Sequence, residues 1–248
     1  MKSRLEKDIH ELSPIVPISI SRVGITNFKR PIILNKNGKK YDLIASIDIY
    51  IDIPSTKKGA HMSRNIEAIE EILENGELTA PWRCASDFAV ELVKRLIQKH
   101  PYAKKAEVRI KTSCPREKFS PVRNVRSMEV VDIIAGAKAV KNDNGVKIRK
   151  TIGIEIDGMT VCPNSYEMTR DYAKEKLLEL GYGEKEIDEI LNAIPLSAHN
   201  QRGKSRIVLE IGEEVSINIE DLVDIVEKSI SSPIYPILKR EDEQYMVI

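Results

Sequence analysis

The chain has 248 residues, 39 Lys+Arg against 38 Asp+Glu, a formal net charge of +1 and 42% hydrophobic residues. That is enough apolar material for one large domain or two modules of roughly 120 residues, and so even a charge balance argues against a nucleic-acid coat, whose carriers are strongly basic. No apolar run approaches the roughly 18 residues of a spanning helix, and the start MKSRLEKDIHELS has no apolar signal-peptide core. A cytoplasmic protein without membrane contact is expected. Cys84, Cys114 and Cys162 are too widely spaced for a disulfide framework or a CxxC zinc pair. The 31% charged residues beside 5% aromatics match the usage of thermophile proteins.

Ile47, Ile49, Ile51 and Ile53 alternate with Asp48, Tyr50 and Asp52, which predicts a strand over 41–53 with one buried face. Asn37-Gly38 before it is a hairpin signal, so 15–26 or 32–34 should pair with it. Ile66, Ile69, Ile72 and Leu73 then adopt helical spacing, with Ser63 as N-cap and Asn75-Gly76 as stop. A second helix runs from Pro81 to His100, before Pro101, with Phe88, Leu92 and Leu96 on one face. Strands return around 106–110 and 128–140.

The second half approximates the same order, without sequence identity between the halves. A strand over 152–156 precedes helices over 166–180 and 184–194, a strand over 207–211 and a helix over 219–230. Hairpins with helices laid on one face define an α+β class with an antiparallel sheet.

Nucleotide motifs fail. Gly203-Lys204-Ser205 imitates the end of a P-loop, but Ala198 stands where the first glycine is required and a strand pattern follows. Gly181-Tyr182-Gly183 lacks both the third glycine and a preceding strand. What remains is a sparse set of metal-capable side chains. His10 lies in a charged segment, and His100 ends a helix, where a cation suits the dipole; both read as structural or solvated. His61 sits at a strand-to-helix junction, either as a functional group or as a surface cap. His199 lies in Ser197-Ala198-His199-Asn200-Gln201-Arg202-Gly203, either a site that reads a heterocycle edge and an anion or a plain polar loop. Cys162 precedes Pro163 and a helix, where a thiolate gains from the helix N-terminus and can ligate a metal; the alternative is a small core residue, as for Cys84 and Cys114. Arg116, Lys118, Arg123 and Arg126, and again Arg202, Lys204 and Arg206, cluster either as polyphosphate contacts or as solvated faces.

Taken together, Gly59-Ala60-His61-Met62-Ser63-Arg64, Thr160-Val161-Cys162-Pro163, Ala198-His199-Asn200-Gln201-Arg202 and Leu238-Lys239-Arg240-Glu241-Asp242-Glu243 resemble the type IB GTP cyclohydrolases. The segment Ile18-Ser19-Ile20-Ser21-Arg22-Val23-Gly24-Ile25 is similar too, and the helical insertion between Cys162 and His199 resembles the archaeal Fe(II)-dependent MptA-type branch. The likeness runs over roughly residues 15–245.

The resemblance implies a tunnelling fold (T-fold) of tandem β-β-α-α-β-β modules, here 1–145 and 146–248, in a homo-oligomer (dimer or tetramer) with active sites at subunit interfaces. It implies opening of the guanine ring of GTP, loss of C8 as formate and rebuilding to 7,8-dihydroneopterin 2′,3′-cyclic phosphate with release of pyrophosphate, as the first step of tetrahydromethanopterin synthesis. Fe(II) is the implied metal, with Mn(II) or Zn(II) chemically acceptable. Cys162 and His199 are the implied ligands, with Glu243 completing the set; Cys162, His61 and His199 form the catalytic group, with His61 as acid/base. Glu241 would anchor the guanine, and Arg64, Gln201, Arg202 and Arg123 would hold the rest of the substrate. Relatives carry a second cysteine where Asn164 stands, and continue past the Leu-Lys-Arg segment, so the second module is expected to lack its last part here. The competing expectations are a T-fold nitrile reductase, which needs a nucleophilic Cys and a nicotinamide but no metal, and a silent T-fold scaffold.

Overall fold

The computed structural model describes residues 8–36, 39–74 and 84–247. Strands β1 (Ile20–Lys36) and β2 (Lys39–Ile53) lead into helices α1 (Ser63–Glu74) and α2 (Cys84–Lys99), then β3 (Lys105–Phe119) and β4 (Arg126–Asn142). β5 (Gly145–Val161), α3 (Pro163–Glu179), α4 (Glu184–Ala193), β6 (Asn200–Gly212), α5 (Ile219–Ser229), the two-residue β7 (Ser232–Pro233) and α6 (Arg240–Val247) follow. The sheet runs in the order β1-β2-β3-β4-β5-β6, with β7 paired to β5. The pairings of β1 with β2, β2 with β3, β4 with β5 and β5 with β7 are antiparallel, so the α+β class with an antiparallel sheet holds. The expected turns at Asn37-Gly38 and Asn75-Gly76 and the helix start at Pro81 lie outside the described residues. Among the described residues no helix is long and apolar enough to cross a membrane.

Two compact units are present: Met1–Cys114 with Val131–Glu155 and Arg206–Leu222, and Pro115–Val130 with Ile156–Ser205 and Val223–Ile248. In the first, the period-2 pattern of β2 does what the sequence requires. Leu43, Ala45, Ile47, Ile49, Ile51 and Ile53 are buried, while Ile44 between them is exposed. Ala106, Val108 and Ile110 of β3 and Ile133, Ala135 and Ala137 of β4 continue the buried face. The helices supply its cover with Ala68 and Ile69 of α1 and Phe88, Ala89, Leu92, Val93 and Leu96 of α2, each worth roughly 1.5–3 kcal/mol of burial for the larger side chains. Lys150 breaks the apolar pattern of β5 and is accommodated because its Nζ lies 3.0 Å from Asp87 of α2.

β1 is not a regular strand. Its pairing with β2 shifts between Ile20 and Val23 and again between Ile25 and Phe28. Asn27 sits in the second irregularity at φ 53°, and its N–H donates to Asp48 Oδ1 at 2.7 Å. Gly24 is required on steric grounds: a Cβ there would lie 1.7 Å from the Ile49 carbonyl oxygen.

His100 is structural, as its sequence context suggests, though as a buried neutral ring and not as a cation on the helix dipole. Its side chain is fully buried, with Nε2 donating to Asn65 Oδ1 at 2.9 Å and Nδ1 3.0 Å from the Tyr102 hydroxyl. Burial first, then the positive field of Arg64, lowers its pKa from 6.5 to about 4, so it is neutral near pH 7. The unfolded chain therefore takes up this proton first, and stability falls as pH drops from 6.5 towards 4, by on the order of 3 kcal/mol from this group alone. Urea melts at pH 8, 6 and 4.5 should show that decline, and His100→Asn should lower stability at pH 8 while flattening the slope.

Candidate active site

In the second unit, β5 ends at Val161 and Cys162 becomes the N-cap of α3, with Pro163 at the first helical position. Its backbone is extended (φ −83°, ψ 110°), which turns the thiol onto the helix start, where Sγ accepts the Ser165 N–H at 3.4 Å. The Cys162 N–H donates to the His199 carbonyl at 3.1 Å, and the His199 N–H donates to Ser165 Oγ at 3.3 Å. Thirty-seven positions apart in sequence, Cys162 and His199 are thus joined through the backbone and through one shared serine. β6 begins immediately afterwards, and Thr160 Oγ1 donates to the Gln201 carbonyl at 3.3 Å. On the other side of β5, Gly158 and Met159 pair with Pro233 and Ser232 of β7, and Ser231 Oγ accepts the Val161 N–H at 3.1 Å. Cys162 is half-buried, and His199, Gln201 and Arg202 are exposed.

The acidic segment of α6 divides its labour differently from the sequence expectation. Glu241 and Glu243 are exposed, and it is Asp242, between them, that is buried. Its Oδ1 accepts the Val122 and Arg123 N–H groups at 2.9 and 2.8 Å, and Oδ2 accepts the Lys239 N–H at 2.9 Å. This ties the 120–123 turn to the start of α6, with Arg123 Nη1 3.7 Å from Glu241. Burial pushes the Asp242 carboxyl up, but the N–H donors of Arg123, Lys239 and Val122 outweigh it and bring the pKa to about 2.

Three of the other expected cations have partners within the fold. Arg116 and Lys118 both contact Glu129 and Glu227, and Arg126 pairs with Glu117 at 2.5 Å. Arg116 and Lys118 therefore form a paired, largely buried network and not an open anion surface.

His61 lies in the first unit, between β2 and α1. Its Nε2 is 2.8 Å from Asp8 Oδ2, and its ring meets that of His10 edge-on at 4.6 Å. Arg64 donates its N–H to the His61 carbonyl at 3.2 Å, and its Nη1 to the Lys99 carbonyl at the end of α2. Ligand atoms of Asp8, Glu11 and His61 lie within 4.8 Å of one another, a spacing at which Cys162, His199 and Glu243 are not grouped among the described residues. Asp8, Glu11, Ser165 and Asp242 were not singled out by sequence. Asp8 is 53 positions from His61, and no local pattern encodes that pairing. Asp242 carried a readable signal, since an acid three residues after Lys239 can reach back to the N-terminal N–H of a helix.

With this geometry in place, comparison with known proteins gives the class. Residues 7–248 match the family model described as type I GTP cyclohydrolase folE2, and the chain belongs to that family. Within it, the similar relatives are GTP cyclohydrolases MptA of methanogens. The chain is 38% identical over 246 residues to GTP cyclohydrolase MptA of Methanothermobacter thermautotrophicus, covering 97% of this chain and 76% of that one. It is 41% identical to GTP cyclohydrolase MptA 1 of Methanocella arvoryzae (97% and 75% covered) and 36% to the Methanocaldococcus jannaschii protein (97% and 77%).

Because the Asp242 pKa is depressed, its contribution is present above the ordinary value of 3.8 and lost as pH falls towards 2. Asp242→Asn should therefore lower the urea midpoint at pH 7 and shrink its difference from wild type as both are acidified below pH 3.8.

Proposed function

We propose that the protein is a metal-dependent GTP cyclohydrolase of the MptA type, a hydrolase that converts GTP and water to 7,8-dihydroneopterin 2′,3′-cyclic phosphate, formate and pyrophosphate in the first step of tetrahydromethanopterin synthesis. The observation that carries the site assignment is the junction where the Cys162 N–H meets the His199 carbonyl at the N-terminus of α3. A thiolate sulfur, an imidazole nitrogen and a carboxylate such as Glu243 make a donor set that suits Fe(II), with Zn(II) and Mn(II) acceptable. When bound, such a cation lowers the pKa of water and supplies a nucleophile for guanine C8 at neutral pH.

The chain's own groups do the rest. Ser165 orients the pair, with its N–H on Cys162 Sγ and its Oγ on the His199 N–H. His61 exchanges the proton that opening of the imidazole ring requires. Glu241 accepts the guanine N–H groups, while Gln201, Arg202, Arg123 and Arg64 hold the ribose and triphosphate through charge-assisted hydrogen bonds. The proposal includes tandem T-fold modules over 1–145 and 146–248, a homo-oligomer with interface active sites, and a cytoplasmic location.

The test is anaerobic incubation with GTP, with and without Fe(II), followed by oxidation, pterin fluorescence and formate assay. Fe(II)-dependent pterin with equimolar formate is expected. Cys162→Ala and His199→Ala should each lower kcat by about 10²-fold or more while the fold, read by circular dichroism, is retained. Metal-independent turnover, or unchanged rates in both variants, would overturn the assignment. Ser165→Ala should weaken Fe(II) binding by about 10-fold to 100-fold, measured by competition with a chelator.

A further inference from the structure

The segment before β1 contributes a carboxylate to the His61 junction, and it is held there at several points. Asp8 caps a 3₁₀ turn (Ile9–Glu11) with Oδ1 accepting the His10 N–H at 3.0 Å, which leaves Oδ2 directed at His61 Nε2, 2.8 Å away. The Lys58 N–H donates to the Leu12 carbonyl at 3.0 Å, and Lys57 pairs with Glu11. Gly59 admits the turn: a Cβ at that position would lie 2.5 Å from His10 Nδ1. Lys57 is itself held over the Tyr102 ring at 4.9 Å. Among the described residues, Asp8, His10 and Glu11 from this segment, Lys57 from the loop, Arg64 from α1 and the buried His100 are ionisable groups around His61.

We infer that Asp8 is a positioning residue for His61: its carboxylate fixes the imidazole orientation and keeps the proton on Nε2, so that Nδ1 is the nitrogen that exchanges a proton with substrate. The inference rests on the reading of His61 as the acid/base. A carboxylate accepts and never donates when ionised, so the 2.8 Å contact requires a proton on Nε2. The Asp8 carboxyl is held below its ordinary range: its own desolvation is outweighed by the His10 N–H and by His61, which keeps it ionised in this role. The same cluster is close enough to take a cation, but a cation would need a bare Nε2 and the release of Glu11 from Lys57. The carboxylates of Asp8 and Glu11 are already engaged by His10, His61 and Lys57 without it.

Nitrogen-15 spectroscopy of the Zn(II)-loaded full chain at pH 8 should find the His61 proton on Nε2. In Asp8→Asn the Oδ1 still caps His10 while an amide N–H faces the ring, so the proton should move to Nδ1. With Fe(II) and GTP, that variant should lose about 10²-fold in kcat while KM stays within about twofold, and Asp8→Glu should restore the Nε2–H form and roughly a tenth of the rate. A wild-type His61 protonated on Nδ1 overturns the inference without any variant. So does an Asp8→Asn protein with wild-type tautomer and kcat, even where His61→Asn is inactive. A fully active His61→Asn protein overturns the acid/base reading as well.

Discussion

β5 is seventeen residues long, with Ile148, Ile152, Ile154 and Ile156 buried on one side, and slipping it by a single residue would turn all four outward. That register is the constraint on which the rest of the molecule depends. Its eleven-residue ladder with β4 runs from Asp132–Glu155 to Asn142–Gly145, and nearer its end Gly158 and Met159 pair with β7. Cys162 follows directly and caps α3. His199 arrives at the same place from the start of β6, and the backbone hydrogen bond between the two is the point where both constraints meet.

Charge is handled with economy throughout. Lys150 meets Asp87 and Lys94 meets Glu213, while Arg116 and Lys118, which the sequence offers to a polyphosphate, meet Glu129 and Glu227 and are committed within the fold. Burying such pairs yields little net stability, but removing one partner would leave an uncompensated charge. Arg202 and Arg123 keep their side chains on the exposed surface, with Arg123 3.7 Å from Glu241.

The fold was legible where burial is one-sided. Ile47 to Ile53 and Ile152 to Ile156 announced β2 and β5, and α1 through α5 followed from helical spacing. β7 and α6 were not announced, because two residues carry no period and α6 has a weak apolar face. The strands are longer than the alternation suggested, since β3 runs on through Cys114 and Pro115 to Phe119. Of the candidate site, Cys162 and His199 stood out by their context and by the family resemblance, and the structure joins their backbones at the start of α3. Asp8 was not, because its pairing with His61 is a tertiary contact that no spacing encodes. His100 was legible as a structural residue, and Asn65 and Tyr102 hold its ring by hydrogen bonds that no spacing encodes.

Cys162 and His199 are the proposed holders of the metal. X-ray absorption at the iron edge of the anaerobic Fe(II)-loaded protein tests this directly. One sulfur scatterer together with imidazole scattering is predicted, the sulfur vanishing in Cys162→Ser and the imidazole signal falling in His199→Ala. A shell of oxygen and nitrogen alone, unchanged in both variants, would contradict it.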